Sequence, residues 1–236
     1  MIDVYLTYER ANKEFTNHSH KDPVQFGQVL DSMYRARLRK YNTFKEKNIV
    51  SQAFLEVADA AMKLDNYQRK ESYPFSHYGK NKVKMIEELP DDFYSFRESV
   101  DLNNEDISEL YGFQQYAFRY LNQLAYLTYG DKKPYSTVSY EHNLARLQLV
   151  DSLITIPEVK DVLLTRSVEL FISNNNSEEE TKKIYDMYNN YISSPGLKNR
   201  IGKLYAANEK MHIGKIIPNQ ILIDGENRLV TLHNIL

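Results

Sequence analysis

The sequence predicts a mainly α-helical protein, an irregular antiparallel bundle of stacked helix hairpins followed by a short C-terminal β-hairpin. The chain has 236 residues but only 8 glycines and 7 prolines. Long stretches repeat apolar residues at intervals of three and four, which is the spacing of one helix face. The C-terminal stretch is instead rich in β-branched residues, as strands are. We therefore predict a helical domain over residues 1–212 and a separate β element over residues 213–236.

Two helices are well marked in the N-terminal half. Asp22 and Pro23 form an N-cap followed by proline at the first helical position, which predicts a helix that ends near Lys47. Residues 103 to about 129 predict a second helix that is apolar around its whole circumference. Such a helix is expected to pack on more than one side.

The segment between these helices is expected to be less regular. Residues 68–85 contain Pro74, Gly79 and a run of alternating lysines, and we predict a long loop there. This loop is the best candidate for a boundary between two helical sub-bundles, near residues 70–88.

Four helices of similar length are predicted between residues 139 and 211. Pro157 begins one that ends near Ile172, Ser177 and Glu180 form a capping box that opens the next, and Pro195 begins the last. Short connections make neighbouring helices antiparallel, which predicts stacked hairpins. The spacing also resembles a tetratricopeptide array, but the small-residue pattern of those repeats is missing, so an irregular bundle is favoured.

One of these helices shows a regular apolar stripe. The residues that form it after the capping box are Ile184, Met187, Tyr188, Tyr191 and Ile192.

The C-terminal hairpin is predicted from three features. Residues 216–223 are a β-branched run broken by Pro218, Asp224 and Gly225 are a turn dipeptide, and residues 228–232 alternate again. A hairpin without a covering sheet is marginal, so residues 213–236 are expected to be poorly ordered or held by a neighbour, with protease cleavage near Lys215.

Composition excludes several classes of function. Thirty basic and 32 acidic residues give a net charge of −2, so we expect no nucleic-acid partner. No run of eighteen apolar residues occurs, so no membrane span is expected. The chain has no cysteine. Disulfide exchange requires a thiolate, so this chain cannot perform it.

The histidines are weak candidates for a metal site. His18 and His20 lie two residues apart, but no third or fourth ligand accompanies them, and a polar loop is the favoured interpretation. The remaining histidines are isolated in the sequence: His77, His142, His212 and His233.

A basic and aromatic cluster around residues 34–41 superficially resembles a nucleic-acid patch. On a helix, Arg35 and Arg39 share a face while Arg37 lies nearly opposite, so we predict a solvated helix surface. The adjacent acidic pairs at 87–88 and 91–92 are expected at helix or turn edges, as caps and not as catalytic acids.

No residue is singled out as catalytic, cofactor-binding or metal-binding. There is no P-loop, no G-x-S-x-G and no G-x-G-x-x-G sequence. Nineteen tyrosines and no tryptophan are unusual. They suggest either a tyrosine-lined binding groove or, as favoured, tyrosines replacing phenylalanine at half-buried helix positions. A helical enzyme with an unrecognised site is a third, minor alternative.

The C-terminal pattern resembles a known family. Gly214, Pro218, Leu222, Asp224, Asn227, Val230 and Leu232 follow the spacing G-x-x-x-P-x-x-x-L-x-D-x-x-N-x-x-V-x-L. This pattern resembles the entry hairpin of thioredoxin-like thiol:disulfide oxidoreductases of the TlpA/ResA type. More loosely, residues 89–96 (LPDDFYSF) and 100–107 (VDLNNEDI) look like the helical region before the thioredoxin module in such proteins of Bacteroides-type bacteria.

The resemblance implies a fragment, cut before the Cys-x-x-Cys of the redox module. The chain would then be a non-catalytic helical accessory or interaction domain of an exported oxidoreductase that acts in cell redox homeostasis, in the periplasm or cell envelope. Its partner would be another protein or the missing thioredoxin module, with a homodimer as a further possibility and no cofactor. The alternative is a stand-alone helical interaction module whose hairpin pairs with a partner's sheet.

Overall fold

The computed structural model describes residues 13–79, 81–128, 136, 138–211, 215 and 219–235. Helices dominate these residues, and a two-stranded antiparallel hairpin follows them. The helices are α1 (Pro23–Lys47), α2 (Gln52–Tyr78), α3 (Lys82–Glu87), α4 (Glu105–Ser108), α5 (Tyr111–Thr128), α6 (Tyr140–Leu153), α7 (Pro157–Asn174), α8 (Glu178–Tyr191) and α9 (Pro195–Glu209). The strands are β1 (Ile221–Ile223) and β2 (Leu229–Thr231). The predicted fold class is confirmed.

Local capping explains where the helices begin. Asp22 accepts a hydrogen bond from the Gln25 backbone N–H at 2.9 Å, and Pro23 occupies the first helical position, so α1 begins as predicted. Ser139 and Ser194 cap α6 and α9 in the same way. The short breaks that these caps define turn each of the last four helices back on its neighbour.

Helix α5 is central, as its sequence predicts. It packs against α2 on one side and α6 on another, with a smaller contact to α7. The main core is formed by α5 to α9 with part of α2, and its fully buried members include Phe113, Leu121, Leu147, Leu163, Val168, Phe171, Ile184, Tyr188 and Ile201. A second buried cluster joins α1, α2, α3 and α5 through Phe26, Leu30, Tyr73, Tyr78, Met85 and Tyr126.

The predicted long loop over residues 68–85 is wrong. Helix α2 continues through Pro74 to Tyr78, and α3 follows after a short break. Tyr73 and Pro74 are buried, so tertiary packing favours the helix despite the lost backbone donor of proline. Helix α2 ends at Gly79, whose φ of 60° and ψ of −120° suit only glycine. Helix α2 contributes to both buried clusters. This arrangement does not test the boundary between two helical sub-bundles near residues 70–88, which stays a prediction.

Two other helix boundaries differ from the prediction. The helix predicted from residue 103 is divided into the short α4 and the long α5, with a turn at Glu109 and Leu110. At α8, Ser177 caps the Glu180 N–H, but the Ser177 N–H donates to Asn175 and not to Glu180. The Glu180 carboxylate instead accepts from the Asn175 side chain, so only half of the capping box forms.

The C-terminal hairpin pairs Ile221 with Thr231 and Ile223 with Leu229. Its turn is closed by the Asp224 N–H, which donates to the Arg228 carbonyl at 3.0 Å. In this turn Asn227 has a positive φ, of 60°, whereas Gly225 does not have a positive φ. The loop therefore has three residues and ends in a left-handed position, a common hairpin type. Residues 216–218, where the first strand is predicted to begin, lie outside the described residues.

Candidate functional site

The histidines are dispersed in the structure. His18 approaches Glu14 at 4.0 Å, His77 Nδ1 lies 2.8 Å from the Ser19 carbonyl oxygen, and the backbone N–H of His233 donates to Asn219. His212 lies outside the described residues. Across the part of the chain that the structure describes, no three His, Asp or Glu side chains converge to hold a metal ion.

The arginines of α1 divide between the two faces of the helix. Arg35 and Arg39 are exposed, whereas Arg37 is buried. Arg37 donates to Asp65 and to the Met62 carbonyl, both at 2.7 Å. The prediction of a solvated surface is therefore wrong for Arg37, which joins α1 to α2 through a buried ion pair. The absence of a single basic stripe is confirmed.

The acidic pairs lie at helix or turn edges, as expected, but the pair 87–88 does not cap the beginning of a helix. Glu87 is the last residue of α3 and Glu88 its C-cap, at the helix end where carboxylates do not complement the dipole. Glu88 approaches Lys84 at 3.8 Å. Both pairs are exposed, and neither lines a pocket described below.

The tyrosines contribute more to the core than expected. Tyr41, Tyr73, Tyr116 and Tyr188 are fully buried. Two of these hydroxyl groups have partners in the 3.0 Å contact between Tyr188 and Thr165 and the 2.7 Å bond from Tyr73 to the Lys21 carbonyl. Tyrosine therefore replaces phenylalanine at fully buried positions as well as half-buried ones.

A pocket of about 210 Å³ opens where α2, α5, α6 and α7 meet. Three arginines line it, one from each of three helices, and we refer to it as the arginine pocket. The side chains that define it are Phe75 from α2, Phe118, Arg119 and Asn122 from α5, Arg146 from α6 and Arg166 from α7. Guanidinium groups have hydrogen-bond donors and no acceptor, so the three arginines favour groups that accept hydrogen bonds.

Arg146 forms the floor of the pocket and is held rigidly. It is 4% exposed, and it donates to Asn122 Oδ1 at 3.0 Å, to the Ser167 carbonyl at 3.3 Å and to Asn143 Oδ1. Asn122 Oδ1 also lies 3.0 Å from Nε2 of His142. Because Oδ1 can only accept, His142 carries its proton on Nε2.

His142 is neutral in this environment. Burial, with smaller effects of the Arg146 and Lys82 cations, lowers the pKa of His142 to about 3. The imidazole therefore adds no charge at neutral pH, and its role is to orient Asn122, which in turn orients Arg146.

Arg119 and Arg166 form the rim. Arg119 donates to the Ser72 hydroxyl, and the Arg166 guanidinium lies 3.9 Å from the centre of the Phe118 ring. Burial and the nearby Arg166 and Arg69 cations lower the pKa of Arg119, and burial lowers that of Arg166. Among the described residues, neither forms a salt bridge.

One carboxylate, that of Glu71, borders the arginine pocket. Its two oxygens accept from Arg97 at 2.8 and 2.7 Å, and Arg97 stacks on Tyr94 at 3.8 Å. Burial raises the pKa of Glu71, and the Arg97 guanidinium opposes that shift. The Glu71 carboxylate is neutralised by Arg97, so it does not offset the charges of Arg119 and Arg166.

The sequence contains no motif for this site, because its arginines are 27 and 20 residues apart in three different helices. One signal exists in hindsight. Arg119 is the single charged residue in the eighteen residues of α5, a helix that is otherwise apolar or uncharged. Because Arg119 is exposed, this lone charge marks a solvent-facing position of the helix and is only a weak signal of a binding site.

Comparison with models of known protein families gives no match, and comparisons with curated proteins and with solved structures give none either. Family and function are therefore argued from the residues of this chain alone. Within the described residues, none of the helices has the length and apolar character needed to cross a membrane.

Proposed function

We propose that this chain is a non-catalytic helical accessory or interaction domain of an exported, thioredoxin-like thiol:disulfide oxidoreductase of the TlpA/ResA type. The chain itself has no cysteine and so cannot hold a cysteine-based redox site. In this proposal the redox cysteines belong to a module that the hairpin begins, and the helical bundle positions that module or its protein partner. Location in the periplasm or cell envelope is part of the same proposal.

The observation that carries the proposal is the exposure of the hairpin. Ile221, Ile223 and Leu229 are 71%, 68% and 74% exposed, although they are strand residues with apolar side chains. Among the described residues each strand has a neighbour on one side only. Two strands with exposed apolar faces are marginal alone, so this hairpin is suited to join a larger sheet.

A second candidate is favoured by the same hairpin. In a stand-alone interaction module, the unpaired edge of β1 or β2 would add to the sheet of a partner protein. The two candidates differ in where the rest of the sheet comes from, which is the same polypeptide in the first and another protein in the second.

Reading the native coding sequence past the codon for Leu236 separates them. The oxidoreductase proposal expects an apolar strand, then an aromatic-rich turn and a Cys-x-x-Cys sequence. A stop codon directly after Leu236 would contradict it and favour the interaction module.

Limited proteolysis gives a second measure, because both candidates expect cleavage near Lys215 that spares α1 to α9 when the chain is alone. Protection of that site in the isolated chain would contradict both.

A further inference from the structure

We propose that the arginine pocket binds a small oxyanionic group, a carboxylate or a phosphate, carried on an apolar or aromatic body. This inference is independent of the redox proposal, because it rests on the helical bundle and not on the hairpin. It makes the bundle a ligand-binding or acidic-group-binding unit in its own right.

The first argument is charge. The chain has 32 acidic residues, yet within the described residues Arg119 and Arg166 pair with none of them, although Arg200 on α9 pairs with Glu169 at 2.7 Å. The neighbouring Glu71 is already neutralised by Arg97. Arg166 is partly buried without a carboxylate partner, and Arg119 is exposed at the pocket mouth, so an anion that enters the pocket meets two positive charges that no carboxylate of the described residues neutralises.

The second argument is rigidity. Arg146 is fixed by the side chains of Asn122 and Asn143 and by the Ser167 carbonyl. The guanidiniums of Arg146 and Arg166 lie 5.1 and 3.9 Å from the centre of the Phe118 ring. Side chains that are ordered before binding lose little entropy when a ligand arrives. Planar guanidinium forks match the geometry of carboxylate and phosphate oxygens.

The third argument is size and lining. A volume of about 210 Å³ is below the 300 to 1,000 Å³ typical of sites for drug-sized ligands, so a small group or a single side chain fits. Phe75, Phe118 and Leu170 give the pocket apolar walls. On the same face of α7 as Arg166 lie Val162 and Leu170, both partly exposed. These surfaces are available to a hydrocarbon or aromatic portion of the ligand.

The same features exclude other classes of ligand. A metal ion or an amine needs acceptors, and the arginines present donors. A nucleic acid needs a long basic stripe, whereas this chain carries a net charge of −2 and the three arginines from three helices converge on one small pocket.

Isothermal titration with four probes tests the proposal. The probes are acetate, benzoate, inorganic phosphate and phenyl phosphate, each at constant ionic strength with chloride as the balancing anion. We expect at least one of the two aromatic probes to bind with a dissociation constant of about 1 mM or lower, and more tightly than its parent anion. Benzoate and phenyl phosphate distinguish the carboxylate from the phosphate class.

No binding by any probe at about 10 mM would overturn the proposal. Equal binding by inorganic phosphate and phenyl phosphate, or by acetate and benzoate, would overturn the requirement for an apolar body.

Three variants locate the site. Arg119→Gln and Arg166→Gln each remove one charge from the pocket and should weaken binding about tenfold or more, as expected for a charged hydrogen bond. Arg39→Gln removes the same charge from an exposed position on α1 and should leave affinity unchanged. An equal loss in Arg39→Gln would indicate a general charge effect and contradict the proposed site.

Thermal unfolding separates binding from a purely structural role. A structural arginine stabilises the free protein, so its replacement lowers Tm. In the binding role, replacing Arg119 removes a crowded cation, so Tm of the free protein should stay within about 1 °C or rise, while the increase in Tm caused by phenyl phosphate or benzoate should disappear. A lowered Tm with an unchanged ligand-induced increase would overturn the assignment of Arg119.

Discussion

Glu71 and Arg97 form a buried ion pair that connects α2 to the turn after α3. The Glu71 side chain is fully buried and that of Arg97 nearly so. The geometry is bidentate, and the Arg97 guanidinium also lies between the Tyr94 and Tyr120 rings. A pair of this kind is more costly to break than it is stabilising, because the remaining charge stays out of water.

Arg97→Met should therefore destabilise the protein by about 3–5 kcal/mol, measured by urea unfolding. Adding Glu71→Leu removes the stranded carboxylate, and the double variant should be more stable than Arg97→Met alone. If the second substitution instead adds its own full cost, the two side chains act independently and the ion pair is not the source of the loss.

His142 adds a dependence on pH to the floor of the arginine pocket. The unfolded chain binds a proton on this imidazole near pH 6.5, whereas the folded protein binds it only near pH 3. Between these values the unfolded state holds more protons, so the free energy of unfolding falls as the pH falls. The contribution is fully present above pH 6.5 and is lost toward pH 3.

Replacing His142 with glutamine preserves a donor toward Asn122 without a titrating group. Between pH 6.5 and pH 3 the wild type should lose stability relative to His142→Gln, by at most about 1.4 kcal/mol per pH unit. Chemical denaturation of both proteins across this pH range measures the difference between their free energies of unfolding. The titration of the carboxylates, which both proteins share, cancels in that difference. Parallel stability curves would show that His142 does not titrate differently in the folded and unfolded chains.

The residue scale is also where sequence reasoning is weakest. The periodicity of α1 places Arg37 opposite Arg35 and Arg39, but it does not reveal that Asp65 of α2 faces Arg37. Likewise, Arg119, Arg146 and Arg166 become one site only after three helices pack together. Contacts between distant residues depend on the arrangement of helices, which single-sequence patterns do not encode.

Helices, by contrast, are largely predictable where local signals agree with packing. Asp22-Pro23 marks the beginning of α1, and Pro157 and Pro195 mark those of α7 and α9. The structure differs from the prediction in α2, where Pro74 and Gly79 indicate a loop. The chain stays helical there because Tyr73 and Tyr78 are buried. Packing overrides local preference there, and only Gly79 acts as the predicted breaker.

A matched pair of glycines tests this interpretation of Gly79. Gly79→Ala forces a Cβ onto a backbone with φ of 60° and ψ of −120°, and should cost about 1–3 kcal/mol of unfolding free energy. Gly27→Ala lies within α1, where an added Cβ meets nothing within 4 Å, and should stabilise by about 0.5–1 kcal/mol. Urea unfolding should give opposite signs, and a stable Gly79→Ala protein would show that the end of α2 is not constrained by its backbone.

At the scale of the whole molecule, the hairpin follows a well-packed helical bundle and is predicted to be a separate unit. Strands β1 and β2 contact each other extensively. Next to the hairpin, Lys215 approaches Glu178 of α8 at 3.7 Å, and both side chains are about half exposed. Exposed ion pairs contribute little, so we expect this contact to add little to the stability of the bundle.

Removing residues 219–236 should therefore change the free energy of unfolding of the helical bundle by less than about 0.5 kcal/mol. As a comparison, Ile184→Ala in α8 removes a fully buried side chain and should cost about 2–5 kcal/mol. Far-UV circular dichroism during urea unfolding measures both. A large loss on truncation would mean that the hairpin packs on the bundle and is not available to a further sheet.

The tyrosine-rich interior has a consequence for how the helices can move. Three buried hydroxyls have partners on another segment: Thr165 for Tyr188, the Leu55 carbonyl for Tyr41 and the Lys21 carbonyl for Tyr73. A phenylalanine interior would tolerate sliding of one helix along another, since hydrocarbon contacts are interchangeable. Here a slip of α1 along α2, or of α7 along α8, by one turn of about 5.4 Å would leave these hydroxyls without their partners. The hydroxyl contacts therefore favour one register within each of these two helix pairs.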